Sequence, residues 1–218
     1  MSERAQVLAV ELDERMISAL HESAPAARIL NADALDADLS SLLRELPMPR
    51  AVVSNLPYYI TGPLVTKIAG ARSSWASAVL MMQKEVGARI LAGPGKRERG
   101  SLSVFLQALF EIEKVANVPA GAFIPPPKVE SIVLRLTPKQ CSVPDEMFPF
   151  VRSCFAQPRK TLANNIIASS RLPRDQVLGA VRASGLDERA RPQDLNEQQW
   201  LKLYTILGGP SHSPEIMP

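Results

Sequence analysis

The sequence predicts an α/β fold: a largely parallel sheet with helices on both faces, followed by a small all-helical unit. Three observations carry this. Short apolar runs alternate with helix-period segments through the first two-thirds of the 218 residues, the pattern of right-handed β-α-β crossovers. A proline-bearing break over 137–144 changes the composition, and beyond it every periodic segment is helical. The chain is 46% hydrophobic and 22% charged, enough apolar mass for a sizeable core and too little charge density for a disordered polymer.

The elements follow in order. Val7-Leu8-Ala9-Val10 is a first strand, and a helix over 13–22 sets Met16, Ile17 and Leu20 on one face. Arg28-Ile29-Leu30 is a second strand and 39–46 a helix; Ala51-Val52-Val53 is the third strand, followed by a helix over 62–69. Residues 78–82 form a fourth strand, then come helices over 83–91 and 102–110. Residues 111–118 and 132–136 are β-rich, with Ile132, Leu134 and Leu136 alternating along the last. Past the break, helices are expected over 147–155, 161–168, 175–183 and 197–207. The domains are therefore 1–138 and 145–207, with a disordered tail over 208–218, where Gly, Pro and Ser dominate.

Composition excludes several classes of function. Net charge is +3 and the isoelectric point about 9.0, which permits nucleic acid as a partner without requiring it. Cys141 and Cys154 fall in no C-x-x-C pattern, so reduced, structural thiols are expected. His21 and His212 have no companion ligands nearby in sequence, so no metal site is expected. The amino end is charged, and no apolar run approaches the roughly 18 residues of a membrane span; a soluble, cytoplasmic protein is expected.

The strongest chemical signal is Asn55-Leu56-Pro57-Tyr58 at the end of the third strand. An exocyclic ring amine such as adenine N6 is a poor nucleophile because its lone pair is delocalised into the ring. The Asn55 side-chain carbonyl and the Leu56 backbone carbonyl can accept both of its N–H bonds. Pro57 fixes the turn that presents them, and Tyr58 can stack on the base. Such a site needs no general base: positioning and electrostatics suffice. The plainer reading is a strand-ending Asn-x-Pro turn with a tyrosine packed nearby.

Glu11 stands at the end of the first apolar strand; ligands of doubly wound sheets gather at strand ends, where an acid at the end of the second strand is the usual partner for ribose hydroxyls, and the alternative is an acid that simply opens a helix. Asp33 follows the second strand and can accept from an adenine amine or cap a turn. Glu11, Asp33 and Asn55 recur at an equal 22-residue spacing, one strand-end residue per βα unit, and that periodicity raises all three. Phe123 opens a proline-rich loop over 123–131 and is a candidate for the second face of a bound base; the alternative is a rigid spacer before the last strand. The loop over 93–100 follows a helix and lacks a G-K-[ST] ending, so it is no phosphate cradle. Its Lys96, Arg97 and Arg99, like Arg159 and Lys160 further on, are candidates for RNA phosphate contact or solvated surface.

N-L-P-Y belongs to the motif class of amino-methyltransferases that act on adenine, cytosine or glutamine. Together with Ala9-Val10-Glu11-Leu12-Asp13, Asp33-Ala34-Leu35, Met82-Gln83-Lys84-Glu85-Val86, Leu102-Ser103-Val104, the 123–131 loop and Arg159-Lys160-Thr161-Leu162, all in order, it resembles the KsgA family of rRNA adenine N6,N6-dimethyltransferases from about Val7 to Leu207. The resemblance implies a Rossmann-like class I methyltransferase sheet and S-adenosylmethionine as methyl donor. It implies as substrate two adjacent adenines in a hairpin near the 3′ end of small-subunit rRNA, each methylated twice in the immature ribosomal subunit by a monomer. Glu11 would then take the donor's ribose and Asp33 its adenine amine. Asn55 would lie where donor and target meet, and Leu56, Pro57, Tyr58 and Phe123 would frame the base. The helical domain, with Arg159 and Lys160, would meet RNA or the subunit.

In that family a strand and a G-x-G-x-G loop precede the segment at Ala9, and here only six residues precede Val7. The resemblance thus implies a sheet lacking its first strand, with unpaired backbone between the strands of Glu11 and Asn55. A start codon set too late is the favoured origin, a truncated gene product the other. Proline at 158 stands where the family tends to have a basic residue. Two rival functions stay open: a large-subunit rRNA adenine N6-methyltransferase, and a non-catalytic rRNA-binding ribosome-assembly factor.

Overall fold

The computed structural model describes residues 5–140 and 143–208. Cys141, His212 and the expected tail from 209 onward lie outside them. The chain divides into two compact units: residues up to Lys84 together with Glu113–Pro138, and Glu85–Ile112 together with the chain from Lys139 onward.

The first unit holds the sheet strands apart from the first three residues of β5, and they form two sheets instead of one. β1 (Leu8–Glu11) pairs in parallel with β2 (Arg28–Asn31), Glu11 opposite Asn31. Between them runs α1 (Glu14–Ser23), started by Asp13, whose carboxylate accepts the Arg15 N–H at 3.0 Å. After β2 comes α2 (Leu39–Arg44), capped in the same way by Asp38. The second sheet has the order β3 (Ala51–Asn55), β4 (Ser77–Gln83), β6 (Ser131–Pro138), β5 (Phe110–Val118). β3 and β4 are parallel, joined through α3 (Thr61–Gly70), whereas β4 and β6 are antiparallel. The expectation of a largely parallel sheet is corrected here. The segment before β6 contains no crossover helix, and a parallel neighbour needs one.

Alternation along β4 buries Ala78, Leu80 and Met82 completely, and Ile132, Leu134 and Leu136 of β6 are buried with them. The β1–β2 pair is different: no residue of β1, β2 or α1 is buried. A cavity of about 330 Å³ separates β1 from β3, lined by Leu8 through Glu11 and by Ala51 through Ser54. Side chains alternate across a strand, so four consecutive residues can face one space only along a strand edge. β1 and β3 therefore turn edges toward one another without pairing, with leucines of α2 and Leu64 and Ile68 of α3 over the gap.

The second unit packs α4 (Lys84–Leu91, all but its first residue), α5 (Ser101–Leu109), α6 (Met147–Cys154), α7 (Leu162–Ser169), α8 (Arg174–Ala183) and α9 (Glu197–Ile206). Val104 of α5 joins Met147, Val151, Ile166, Val181 and Trp200 in one core, and Phe105 meets Phe148 edge-on at 4.2 Å. The sequence reading assigned α5 to the sheet domain. Buried residues occur almost all round this helix, so its periodicity names no partner, and its contacts put it with the C-terminal helices. The expected linker is tied down too: Lys139 donates through its backbone to Leu109 O at 2.8 Å and through Nζ to Gln107 O at 2.7 Å. Among the described residues no helix is long and apolar enough to cross a membrane.

Candidate active site

The turn after β3 is set by burial first and hydrogen bonding second. Leu56 is 1% exposed, and its N–H continues the ladder to Met81 O at 2.9 Å. Pro57, at φ −59° and ψ 130°, redirects the chain. Its carbonyl accepts from Ile60 N–H at 3.2 Å and from the buried Thr61 hydroxyl at 3.0 Å, which closes the turn into α3. Asn55 is left exposed at the strand end and Tyr58 half-buried beside it. The Tyr58 hydroxyl lies 2.9 Å from Ser131 Oγ.

Facing this turn is the loop before β6. Asn55, Leu56, Pro57 and Tyr58 line one cavity of about 440 Å³ with Phe123, Ile124, Pro125 and Pro127. The size is that of a small-molecule site. All five residues singled out for the reacting base (Asn55, Leu56, Pro57, Tyr58, Phe123) thus share one cavity, although Phe123 is 65 residues from Tyr58 in sequence. Ile124 at its rim is fully exposed, and Tyr59, next to Tyr58, is 83% exposed.

Glu11 and Asp33 occupy neighbouring strand ends. Ala32 N–H donates to Glu11 O at 3.1 Å, extending the β1–β2 pairing to the residue before Asp33. Glu11 Oε1 accepts from Asp13 N–H at 2.8 Å and Asp33 Oδ1 from Leu35 N–H at 2.7 Å. Each carboxylate spends one oxygen on shaping its own turn. The second oxygen of each has no partner among the described residues, so the capping role leaves an acceptor on each carboxylate. Two adjacent strand-end carboxylates suit a ribose diol and an exocyclic amine, both of which donate.

The basic candidates divide. Lys96 and Arg97 are exposed on their loop, whereas Arg99 is 4% exposed. Its guanidinium donates to Ala92 O at 2.7 Å and to Gln107 Oε1, and burial lowers its pKa while the Glu197 carboxylate opposes that. Arg99 therefore drops out as an RNA contact: it is the internal fastening of the loop that displays Lys96 and Arg97. Arg159 and Lys160 are exposed in the turn before α7. Asn165, 2% exposed, clamps that turn: its Oδ1 accepts from Gln157 N–H at 3.0 Å and its Nδ2 donates to Gln157 O at 3.1 Å. Ser131, Gln107 and Asn165 had no role in the sequence reading. Ser131 lay within a quoted motif; the Gln107 side chain meets partners up to 17 residues away, and Asn165 folds back on a turn eight residues before it, where no helix or strand period marks it. Among the described residues no cluster of three His, Cys, Asp or Glu side chains could hold a metal. Cys154 is buried, and burial pushes its thiol pKa up.

Residues 1–208 match the family described as ribosomal RNA adenine dimethylase. A protein of Nostoc sp. named ribosomal RNA small subunit methyltransferase A is 37% identical over 93% of this chain and 79% of its own. One of the same name from Geobacillus thermodenitrificans is 38% identical over 93% and 74%. Among solved structures, a dimethyladenosine transferase from Plasmodium falciparum superposes with a TM-score of 0.75 at 26% identity, covering 95% of this chain and 84% of that one. The 23S rRNA methyltransferase ErmE superposes with a TM-score of 0.65 at 27% identity, covering 93% and 82%.

Proposed function

Since the chain belongs to the ribosomal RNA adenine dimethylase family, we propose that it dimethylates N6 of two adjacent adenines in a hairpin near the 3′ end of small-subunit rRNA, in the immature subunit. The observation that carries this is the single cavity walled by the turn of Asn55 to Tyr58 and the loop of Phe123 to Pro127. S-adenosylmethionine, the donor of this class of enzyme, supplies an electrophilic methyl group. Glu11 would hold its ribose hydroxyls and Asp33 its adenine amine, through the carboxylate oxygens their own turns leave over.

The acceptor chemistry belongs to the chain. A flipped adenine enters between Tyr58 and Phe123, whose rings stack on its two faces. Asn55 Oδ1 and the Leu56 carbonyl each accept one N6–H bond, which pulls the nitrogen toward tetrahedral geometry and frees its lone pair for attack. Bond formation to N6 would break the methyl's bond to the donor sulfur, with S-adenosylhomocysteine as the leaving group, and the amine, then carrying one proton too many, loses it to water. The once-methylated amine keeps one N–H for a second round. Leu56 is buried and tied to β4, so its carbonyl requires little reorganisation during the reaction. Lys96, Arg97, Arg159 and Lys160 would contribute sequence-independent phosphate contacts.

The small-subunit names of the bacterial relatives favour that substrate over large-subunit rRNA. The test is methyl transfer from labelled S-adenosylmethionine to small subunits lacking the modification, with naked large-subunit rRNA in parallel and nucleoside analysis of the product. Dimethyladenosine at two neighbouring positions in the small-subunit RNA alone is the expected result. Label in large-subunit RNA would overturn the substrate. A folded chain that binds small subunits and transfers no methyl would be an assembly factor.

A further inference from the structure

The two walls of the base cavity hang on the last residues of β4 and on Lys84, which follows them. Leu56 N–H is bonded to Met81 O at 2.9 Å, which places the Asn55–Tyr58 wall. On the other side, Ser131 opens β6 opposite Gln83, Lys84 N–H donates to Glu130 O at 2.9 Å, and Lys84 Nζ lies 2.5 Å from Glu130 Oε2. These contacts place the end of the loop that carries Phe123. One side-chain hydrogen bond then ties wall to wall: Tyr58 hydroxyl to Ser131 Oγ, 2.9 Å, across 73 residues of sequence.

Ser131 is fully buried, and Tyr58 is half-buried in the cavity lining. A buried hydroxyl is costly to leave unpaired, and Tyr58 is the partner it has. A tyrosine ring turns about two torsions: fixing its para oxygen at a buried point sets the direction of the ring axis, and because a phenol's O–H and accepting lone pair both favour the ring plane, the bond to Ser131 Oγ then selects one plane about that axis. We propose that Ser131 is a positioning residue: it fixes the Tyr58 ring as a preset stacking face for the target adenine, and it holds that face and the Phe123 loop at one separation. The inference rests on the cavity being the base site. Ser131 touches no reacting atom; it acts through Tyr58.

Two substitutions remove the same bond from opposite ends, Ser131→Ala from the buried side and Tyr58→Phe from the cavity side, the latter keeping the stacking ring. Single-turnover methyl transfer at saturating donor is measured for both, for the double variant, and for wild type. An rRNA fragment with 2-aminopurine at the target adenine reports stacking by quenched fluorescence. Each single variant should lower the transfer rate about tenfold, the worth of one hydrogen bond, with KM for RNA changed much less. The double variant should be no slower than the slower single one, and Ser131→Ala should lose quenching. A Ser131→Ala enzyme that matches wild type in rate and quenching, or losses that multiply in the double variant, would overturn the proposal.

Should Ser131→Ala fail to fold, Tyr58→Phe decides, since it leaves the buried serine in place. A wild-type chain that quenches but transfers no methyl refutes the reaction while the quenching comparison still judges Ser131. A wild-type chain that does neither refutes both.

Discussion

The two sides of the first unit differ in how they are held. The paired strands β4 and β6 hold a core in which Ala78, Leu80, Met82, Ile132, Leu134 and Leu136 are buried, and the cavity proposed for the base lies at its end. The β1–β2 pair with α1 buries no residue and meets β3 across a cavity. Yet it is the second side that carries Glu11 and Asp33. The wall of the proposed base cavity that Leu56 anchors is therefore preformed, while the carboxylates proposed for the donor sit on an element with little packing of its own. Local opening costs least where few apolar contacts must break, and a ligand that binds only the closed form adds to its stability.

The largest expected effect tests that contrast directly. Leu80→Ala should cost about 2–5 kcal/mol in denaturant unfolding, because it opens a cavity in close-packed core. Val10→Ala, on the half-exposed strand β1, should cost less than about 1 kcal/mol. Equal costs would mean that β1 folds as part of the main core, and the comparison would fail. Next is chemistry on the preformed side: Asn55→Ala should reduce methyl transfer about 10²–10³-fold with unchanged melting, since its side chain is exposed and its loss removes one transition-state acceptor. Smaller again is the donor side, where Glu11→Gln keeps an acceptor for Asp13 N–H but loses the charge. S-adenosylmethionine affinity, read by calorimetry, should fall about tenfold or more; an unchanged affinity would return Glu11 to a purely capping role.

The contrast also marks what the sequence could show. Local turns and element starts set by neighbours in the chain were readable: the strand end at Asn55 with the turn at Pro57, and helices beginning near Asp13 and Thr161, which the structure shows as their caps. Strand and helix positions followed from periodicity to within a few residues at their ends. What a residue packs against is a tertiary fact, and there the reading failed. Arg99 looked like its neighbours Lys96 and Arg97 until Gln107 and Ala92 O were found around its guanidinium. Helix α5 is apolar nearly all round, so nothing in its pattern chose between the sheet and the C-terminal helices. Ser131 was visible as a motif residue, and its partnership with Tyr58 was not, because 73 residues separate them. The gap beside β1 was anticipated by the family resemblance alone.

The smallest effect lies on the weakly held side and depends on pH. Asp13 begins α1, accepting from Arg15 N–H and pairing with the Arg15 guanidinium at 2.6 Å; these bonds hold its pKa down to about 2, from the ordinary value of 3.8. The folded-state pKa is depressed, so the stabilisation is present above 3.8 and is lost as pH falls through about 2. Asn at this position still caps the helix but cannot pair with arginine. The difference between wild type and Asp13→Asn should be constant from neutral pH down to about pH 4, then vanish toward pH 2. Because Asp13 and Arg15 are both solvent-exposed, the effect is small, and because α1 buries nothing it should appear as faster amide exchange within α1 and leave global melting almost unmoved. A matching shift in global melting would show that α1 unfolds together with the β4–β6 core, which would erase the distinction between the two sides.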